Sequence, residues 1–395
     1  PELWCSDGPH GVRAEVLWDA WKDAGWTNDS ITAFPALTCL AATWNPEMSA
    51  IYGKAVGEEA RYRKKDVLLG PGVNMLRTPL NGRNFEYMGE DPYLASVMVV
   101  PYIKGVQSNG VAACVKHFAL NSEEINRHTV SVDVSDRALY EIYLPAFKAA
   151  VMDGGVWSIM SSYNLYRGRH VSQHPRLLKD ILRGEWGFDG AVISDWGAVH
   201  NSPEAIEGGL DLEYGSWTNV LDDGSRNAFD NYYMAGPYLD RIMAGELDTK
   251  ELDVKAANVL RLIMRTAMGK KNSYGVVGND EHIRVARTIG TEGIVLLKND
   301  NNILPLDVAS GRKKIAVIGE NAVKMMTSAG GSSKLKVKYE VAPLDGLRRS
   351  IGDKADIVFA RGYVGQPSGH YMLDGKKYQL KDTRSAQELK DEALN

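Results

Sequence analysis

GAVISDWG, residues 190–197, is the stretch from which the fold of the chain is inferred. Its first residues are small or β-branched, as in a buried parallel strand, and the run ends at the carboxylate of Asp195, followed by Trp196. Barrel and open-sheet enzymes carry reactive groups at the C-terminal ends of such strands. The alternative is that Asp195 caps the next helix.

Short apolar runs alternate with amphipathic helical stretches up to about residue 270, a pattern typical of parallel βα-repeating proteins. One helix, at 135–155, is predicted with Ser135 or Asp136 as its cap and with Gly154 and Gly155 at its end. Polar residues follow almost every apolar run, so an α/β fold with an irregular (β/α)8-like, TIM-type barrel fits better than a doubly wound sheet. The predicted strands are 67–73, 110–117, 156–164, 190–196 and 209–214.

The second part of the chain predicts a further α/β domain of the sandwich type. We expect this domain to be incomplete, because two or three strands would leave long unpaired edges, and we expect the chain to be a segment of a longer protein. The predicted elements are a rim loop at 215–240, a helix at 251–268, a loop at 271–280, a helix from about 281, strands at 314–322 and 355–362 and a helix at 343–351. The predicted domains are a barrel at 1–270, a linker and junction at 271–313, and the N-terminal part of the sandwich at 314–395.

Composition narrows the classes of function. A net charge of −4 without runs of like charge gives no support to nucleic acid or an anionic membrane as a partner. Cys5, Cys39 and Cys114 show no CxxC spacing, so neither a zinc site nor a disulfide framework is indicated. No apolar stretch approaches the roughly 20 residues of a membrane span. We expect no metal and no organic cofactor.

Two glycine-rich turns carry charged residues. In SDGPHGVR, residues 6–13, tight turns leave Asp7 and Arg13 exposed on either side, where Asp7 could accept two sugar hydroxyls or could be an ordinary surface turn residue. In NGRNFEYMGEDPY, residues 81–93, the guanidinium of Arg83 suits vicinal hydroxyls or a carboxylate. The acids Glu86, Glu90 and Asp91 are predicted to be structural partners of Arg83.

Two further runs end in polar groups able to hold a sugar. In VKHFALNSEEINRH, residues 115–128, Lys116 and His117 can reach one pocket only at a strand terminus, with Arg127 a short loop later. In SIMSSYN, residues 158–164, Met160 and Tyr163 offer an apolar platform and a phenol, although core packing is the simpler explanation of Met160.

These motifs, together with VISDW and LLKNDNNILPL at 296–306, closely resemble the glycoside hydrolase family 3 β-glucosidases and β-xylosidases. The resemblance implies a retaining exo-acting β-glycosidase, with a barrel-like first domain and an α/β sandwich second domain. It implies that Asp195 is the nucleophile, favoured in its ionised form by nearby Lys116 and Arg127. The positions matching the glycone subsite are Asp7, Arg13, Arg83, Lys116, His117, Arg127, Met160, Tyr163, Trp196 and, more weakly, Ser332.

The proton donor is the part of the pattern that the chain lacks. In the family it is a glutamate of the second domain, on a loop after a strand that would follow residue 395. Glu320 follows the wrong strand, and Glu213 is expected to be a partner of other site residues on the rim. The β-N-acetylhexosaminidase branch, which uses a loop histidine, is rejected because the Pro-Gly turn of its KHFPGHG-like pattern is absent, so His128 is not the acid.

The resulting prediction is a β-D-glucosidase that acts on short β-linked glucosides, as in cellulose and hemicellulose breakdown. The short side chain of Asp7 leaves room for the exocyclic CH₂OH of glucose, whereas a β-xylosidase is the nearest alternative. An inactive carbohydrate-binding protein is the alternative from another class, and the presence of Asp195 is evidence against it. The expected partners are a small oligosaccharide or β-glucoside and a companion fragment or second copy, and the expected location is periplasmic or secreted.

Overall fold

The computed structural model describes residues 2–17, 23–215, 228–269, 274–310, 313–327, 330–365, 370–373, 376–379 and 382–395. The chain divides into two compact units. The first comprises Pro1–Val295 and Gly331–Lys336, and the second comprises Leu296–Gly330 and Val337–Asn395. The domain limits of 1–270, 271–313 and 314–395 stay a prediction.

The described residues of both units form strands and helices. The strands are β1 (Cys5–Asp7), β2 (Val67–Leu69), β3 (Ala112–Phe118), β4 (Ser131–Val132), β5 (Ser158–Ser161), β6 (Leu165–Tyr166), β7 (Arg169–His170), β8 (Ala191–Ile193), β9 (Lys313–Ile318), β10 (Ala355–Ala360), β11 (His370–Leu373) and β12 (Lys376–Gln379). The α-helices are α1 (Leu37–Ala42), α2 (Pro46–Tyr62), α3 (Pro92–Gln107), α4 (Asp136–Ala138), α5 (Pro145–Met152), α6 (Ser202–Gly208), α7 (Gly236–Met243), α8 (Lys250–Arg265), α9 (Asp280–Gly293), α10 (Pro343–Ile351) and α11 (Ala386–Leu394). Two π-helical segments span Leu139–Tyr143 and Arg176–Glu185.

The first unit is organised around one parallel sheet with the strand order β1-β2-β3-β5-β8. Four of the five predicted strands are present, each shorter than predicted. β1 was missed because it is only three residues long and a glycine-rich turn follows it at once. The fifth, at 209–214, is wrong as a strand: within it only Leu212 bridges, in parallel, to Ile193. The carboxylate of Asp211 explains this, because it takes up the Val192 N–H at 2.7 Å and binds Arg183 at 2.5 Å.

The helix predicted at 135–155 is present in two pieces. Ser135, rather than Asp136, is the N-cap, and its hydroxyl accepts from the Ala138 N–H at 3.2 Å. A π-helical turn at Leu139–Tyr143 precedes Pro145, which opens α5 because proline has no N–H to continue the preceding turn. The rim loop predicted at 215–240 is partly wrong, since α7 begins at Gly236, and residues 216–227 lie outside the described residues.

The core of the first unit fills the space inside the sheet with apolar side chains from each strand and from α8. Its fully buried members are Val67, Leu69, Ala112, Cys114, Met160, Ala191, Ile193 and Leu262. On the outer layer, α2 and α3 approach so closely that a Cβ on Gly53 would lie 2.2 Å from the Tyr102 carbonyl oxygen. The strand ends that emerge from this core therefore lie on a rigid scaffold.

α9 is attached to the first unit through a buried histidine between two glutamates. His282 is fully buried, with Nδ1 2.9 Å from Glu59 Oε1 and Nε2 2.8 Å from Glu58 Oε2. Burial lowers the pKa of His282, but its hydrogen bonds to Glu59 and Glu58 outweigh that effect and raise the pKa above its ordinary value. Both ring nitrogens donate in the imidazolium, so the charged form satisfies both carboxylates.

We expect the substitution His282→Gln to lower the free energy of unfolding of the first unit by about 1–3 kcal/mol near pH 6. Because the folded pKa is raised, the imidazolium contribution is complete below the unfolded value of about 6.5 and is lost as the pH rises through the folded pKa. Urea unfolding of the wild type and of His282→Gln at pH 6 to 9 measures this contribution to the free energy of unfolding. A difference between wild type and variant that does not shrink with rising pH would contradict this account of His282.

The second unit begins with the parallel pair β9 and β10, in register from Ala355 opposite Lys313 to Ala360 opposite Ile318. α10 coincides with the helix predicted at 343–351, and β9 and β10 begin within a residue of their predicted starts. β11 and β12 form an antiparallel hairpin that was not predicted. α11 begins with a capping box in which Ser385 and Glu388 satisfy each other's backbone N–H groups.

Candidate active site

Asp195 lies two residues beyond the C-terminal end of β8 and is 6 % exposed. Its Oδ1 accepts from the Trp196 N–H at 2.8 Å, whereas its Oδ2 is buried and accepts no hydrogen bond among the described residues. The alternative that Asp195 caps the next helix is wrong, because Asn201 caps α6. Burying a carboxylate oxygen without a hydrogen-bond donor costs folding free energy, so the position of this oxygen indicates that it faces a ligand.

His117 reaches the same place from β3. Its Nε2 lies 3.5 Å from Asp195 Oδ2 and 2.7 Å from Arg83 Nη2. The pairing of β3 with β5 carries one extra residue between Val115 and Phe118, a β-bulge. Lys116 and His117 lie at this irregularity, within the last three residues of β3, and both side chains reach the site.

Lys116, Glu86 and Arg83 form a buried charge cluster beside His117. Lys116 Nζ lies 3.3 Å from Glu86 Oε2, and Arg83 Nε donates to Glu86 Oε1 at 2.6 Å. Burial raises the pKa of Glu86, but the charges of Lys116 and Arg83 outweigh it and lower that pKa to about 2. Of the three predicted partners of Arg83, only Glu86 is confirmed, because Asp91 caps α3 and Glu90 is exposed.

Asp7 ends β1 and is buried, so its interpretation as a surface turn residue is wrong, and Arg13 is likewise buried rather than exposed. The Oδ2 of Asp7 lies 3.7 Å from the Nη1 of Arg13. Burial raises the pKa of Asp7, and although Lys116 and Arg13 oppose this, the net value is about 6. Asp195 and Glu86 raise it further, which places these carboxylates in one electrostatic environment.

Arg127 and Tyr163 close the site on another side. The guanidinium of Arg127 lies 4.3 Å from the centroid of the Tyr163 ring, and its Nη1 donates to Glu124 Oε2 at 2.8 Å. His128 stacks edge-on against the same ring at 4.4 Å. Burial, followed by the charge of Asp195, raises the pKa of Tyr163 well above its ordinary value, so this phenol stays protonated and can donate.

Family models match most of the chain. The glycosyl hydrolase family 3 N-terminal domain matches residues 8–212, and the C-terminal domain of the same family matches residues 294–394. The chain belongs to glycosyl hydrolase family 3. The resemblance inferred from the motifs is therefore confirmed.

Among curated relatives of this family 3 chain is the β-glucosidase BoGH3A of Bacteroides ovatus, 58 % identical over 93 % of the chain and 50 % of the relative. An exo-α-(1→6)-L-arabinopyranosidase of Bifidobacterium longum is 41 % identical over 92 % of the chain and 46 % of the relative. The chain spans about half the length of the curated relatives it matches.

Solved structures of family 3 proteins confirm the predicted fold class, a TIM-type barrel followed by an α/β sandwich. β-Glucosidase 3B of Thermotoga neapolitana, in complex with α-D-glucose, matches with a TM-score of 0.79 and 36 % identity over 91 % of this chain and 48 % of its own. A β-glucosidase of Bifidobacterium adolescentis matches with a TM-score of 0.79 and 35 % identity over 100 % of this chain and 51 % of its own.

Three of the residues predicted to line the glycone subsite lie apart from the charge cluster of Lys116, Glu86 and Arg83. Met160 is 1 % exposed within the apolar core, as the packing interpretation requires, and its contact with a sugar stays a prediction. Trp196 packs partly against this core and lies 5.0 Å from the Tyr214 ring. Ser332 is half-buried in Gly331–Lys336, a segment of the first unit. In this segment the Lys334 carbonyl accepts from the Ala14 N–H at 3.1 Å.

The two glutamates considered as proton donors are occupied elsewhere. Glu213 Oε2 accepts from the Met234 N–H at 2.7 Å. In the second unit, Glu320 is 1 % exposed and binds Lys324 at 2.7 Å and Arg361 at 3.1 Å. Burial raises the pKa of Glu320, but hydrogen bonds from Lys324 and Arg361 outweigh it and keep that pKa below its ordinary value, the opposite of a proton donor.

Sequence reasoning missed residues that hold the site together. Asn74 binds both the N–H of His117, at 2.7 Å, and its carbonyl oxygen, at 2.9 Å. Glu124 binds Arg127, accepts from Asn121 at 3.0 Å and lies 3.8 Å from Arg83. Asn74 follows a predicted strand, so the rule that selected Asp195 could have selected it.

Metal-binding clusters and membrane-spanning helices are both absent from the described residues. No group of three or more histidines, cysteines, aspartates or glutamates with metal-binding geometry is found among them. Within the same residues, no helix combines the length and apolar character needed to traverse a bilayer.

Proposed function

We propose that this chain carries the nucleophile of a retaining, exo-acting β-D-glucosidase that hydrolyses terminal non-reducing β-D-glucosyl residues. The observation that carries the proposal is the buried carboxylate of Asp195, just beyond the C-terminal end of β8, with Oδ2 3.5 Å from His117 Nε2. Asp195 Oδ2 forms a bond to the anomeric carbon while the bond to the aglycone oxygen breaks. Water then cleaves the glycosyl ester, and the configuration is retained.

The surrounding residues are suited to the charges that arise in this reaction. Arg83, Lys116 and Arg127, which surround His117, supply donors for hydrogen bonds to the oxygens of sugar hydroxyls. Asp7 accepts sugar hydroxyls in its ionised form, with a phenol donor available at Tyr163. We propose that Arg13, Trp196, Met160 and Ser332 also belong to the glycone subsite.

We propose that the proton donor is a glutamate on polypeptide that follows Asn395. Its absence would slow hydrolysis of unactivated glucosides by about 100- to 10,000-fold. If the glutamate lies on a separate polypeptide, a companion fragment would supply it. Either a companion fragment or a second copy would cover the edges of the β9–β10 pair. We propose a periplasmic or secreted location, which suits an enzyme acting on small glucosides.

Substrate choice tests the proposal with 2,4-dinitrophenyl glycosides, because this leaving group departs without protonation. We expect the largest kcat/KM for the β-D-glucoside, compared with the β-D-xyloside and the α-L-arabinopyranoside. The last of these is included because relatives at 41 % and 39 % identity carry arabinopyranosidase names. Faster turnover of the xyloside would favour a β-xylosidase, and binding of glucose without turnover of any glycoside would favour an inactive sugar-binding protein.

A further inference from the structure

Tyr87 contacts His117 on the side of the ring that faces away from Asp195. The hydroxyl of Tyr87 lies 3.1 Å from His117 Nδ1, and the two rings meet edge-on at 6.0 Å. Tyr87 is fully buried, and its hydroxyl also accepts from Asn121 Nδ2 at 3.4 Å. No part of the proposed reaction so far uses this tyrosine.

The other ring nitrogen of His117 determines where the proton is. Arg83 Nη2 lies 2.7 Å from His117 Nε2, and a guanidinium has only donors, so Nε2 accepts. Burial and the neighbouring cations Arg83, Lys116 and Arg127 lower the pKa of His117 well below its usual value, so the ring is neutral. A neutral ring that accepts at Nε2 carries its proton on Nδ1 and donates it to the hydroxyl of Tyr87.

We propose that Tyr87 is a positioning residue: it accepts the Nδ1–H of His117 and, together with the Arg83 N–H at Nε2, holds the Nδ1–H tautomer, so that Asp195 Oδ2 receives no hydrogen bond from the imidazole. His117 Nε2 is 3.5 Å from Asp195 Oδ2. A proton on Nε2 would be directed at the nucleophilic oxygen and would also oppose the N–H of Arg83. The expected effect on catalysis rests on the proposed function. The assignment of the His117 tautomer is independent of that function.

The test is the substitution Tyr87→Phe, which removes the hydroxyl and keeps the ring. The tautomer is observed directly by long-range ¹H–¹⁵N correlation on protein labelled with ¹⁵N-histidine, and His117→Gln identifies the signals. The matched control is Tyr52→Phe, because Tyr52 is also fully buried and donates one hydrogen bond, to the Pro35 carbonyl at 2.7 Å. If Tyr87→Phe does not fold, Tyr87→Met replaces it.

We expect His117 to be Nδ1–H in the wild type and in Tyr52→Phe. In Tyr87→Phe the buried Nδ1–H loses its acceptor, whereas Asp195 Oδ2 offers one 3.5 Å from Nε2, so we expect a population of the Nε2–H tautomer in competition with the Arg83 donor. We also expect kcat/KM for 2,4-dinitrophenyl β-D-glucoside to fall about tenfold to a hundredfold in Tyr87→Phe. An Nε2–H tautomer in the wild type, or an unchanged tautomer in Tyr87→Phe, would overturn the proposal. A confirmed tautomer shift with no turnover by any variant would instead count against the proposed glucosidase function.

Discussion

Replacing Asp195 with alanine is expected to lower kcat/KM for 2,4-dinitrophenyl β-D-glucoside at least about 10⁴-fold, because the residue forms the covalent bond to the sugar. The cavity left by the side chain should admit a small anion. Added azide is therefore expected to restore release of dinitrophenol from Asp195→Ala and to give the α-glucosyl azide, since azide attacks directly in place of the carboxylate.

The matched control for this substitution is Asp189→Ala. Asp189 lies two residues before β8, as Asp195 lies two residues after it, and it binds Arg265 at 2.6 Å. Because it lies at the opposite end of the same strand, Asp189→Ala should change kcat/KM by less than about threefold. Full turnover by Asp195→Ala would exclude Asp195 as the nucleophile.

The second large effect is expected on stability, from Glu86→Ala. This change leaves Lys116, which is 1 % exposed, and Arg83 without the carboxylate that lies 3.3 Å and 2.6 Å from them. Removing one partner of a buried ion pair costs about 3–5 kcal/mol. We expect the free energy of unfolding of the first unit to fall by that amount.

Tryptophan fluorescence during urea unfolding measures this loss, because all nine tryptophans precede residue 296 and so report on the first unit. The matched control is Glu90→Ala, an exposed acid four residues away in the same loop, which should change stability by no more than about 0.5 kcal/mol. Equal stabilities of Glu86→Ala and Glu90→Ala would mean that the buried charge cluster is not held by Glu86.

The fold was predictable where periodicity and strand chemistry agree. β2 and β8 are wholly apolar, and β3 and β5 carry apolar runs that end in polar residues; buried parallel strands have that character. β1 was missed because Cys5–Asp7 is three residues long and is followed at once by a glycine-rich turn. The strand predicted at 209–214 failed because the Asp211 side chain, which periodicity ignores, takes the backbone donor of Val192.

The site was predictable as a set of residues but not as a set of contacts. A glycine-rich turn indicated Asp7, and polar groups at predicted strand ends indicated Lys116, His117 and Asp195; the structure brings all four into one electrostatic cluster. The bulge at which Lys116 and His117 lie depends on the pairing of β3 with β5, which local sequence does not specify. For the same reason the tautomer of His117 depends on Arg83 and Tyr87, which lie some thirty residues away in the chain.

The most direct test of the account is covalent trapping with 2,4-dinitrophenyl 2-deoxy-2-fluoro-β-D-glucoside, followed by digestion and mass spectrometry. The leaving group needs no proton donor, and the fluorine slows hydrolysis of the glycosyl ester more than its formation. We predict one 2-fluoroglucosyl group for each chain, on the carboxylate of Asp195. A chain that stays unlabelled while binding the reagent, or a label on another residue, would contradict the assignment.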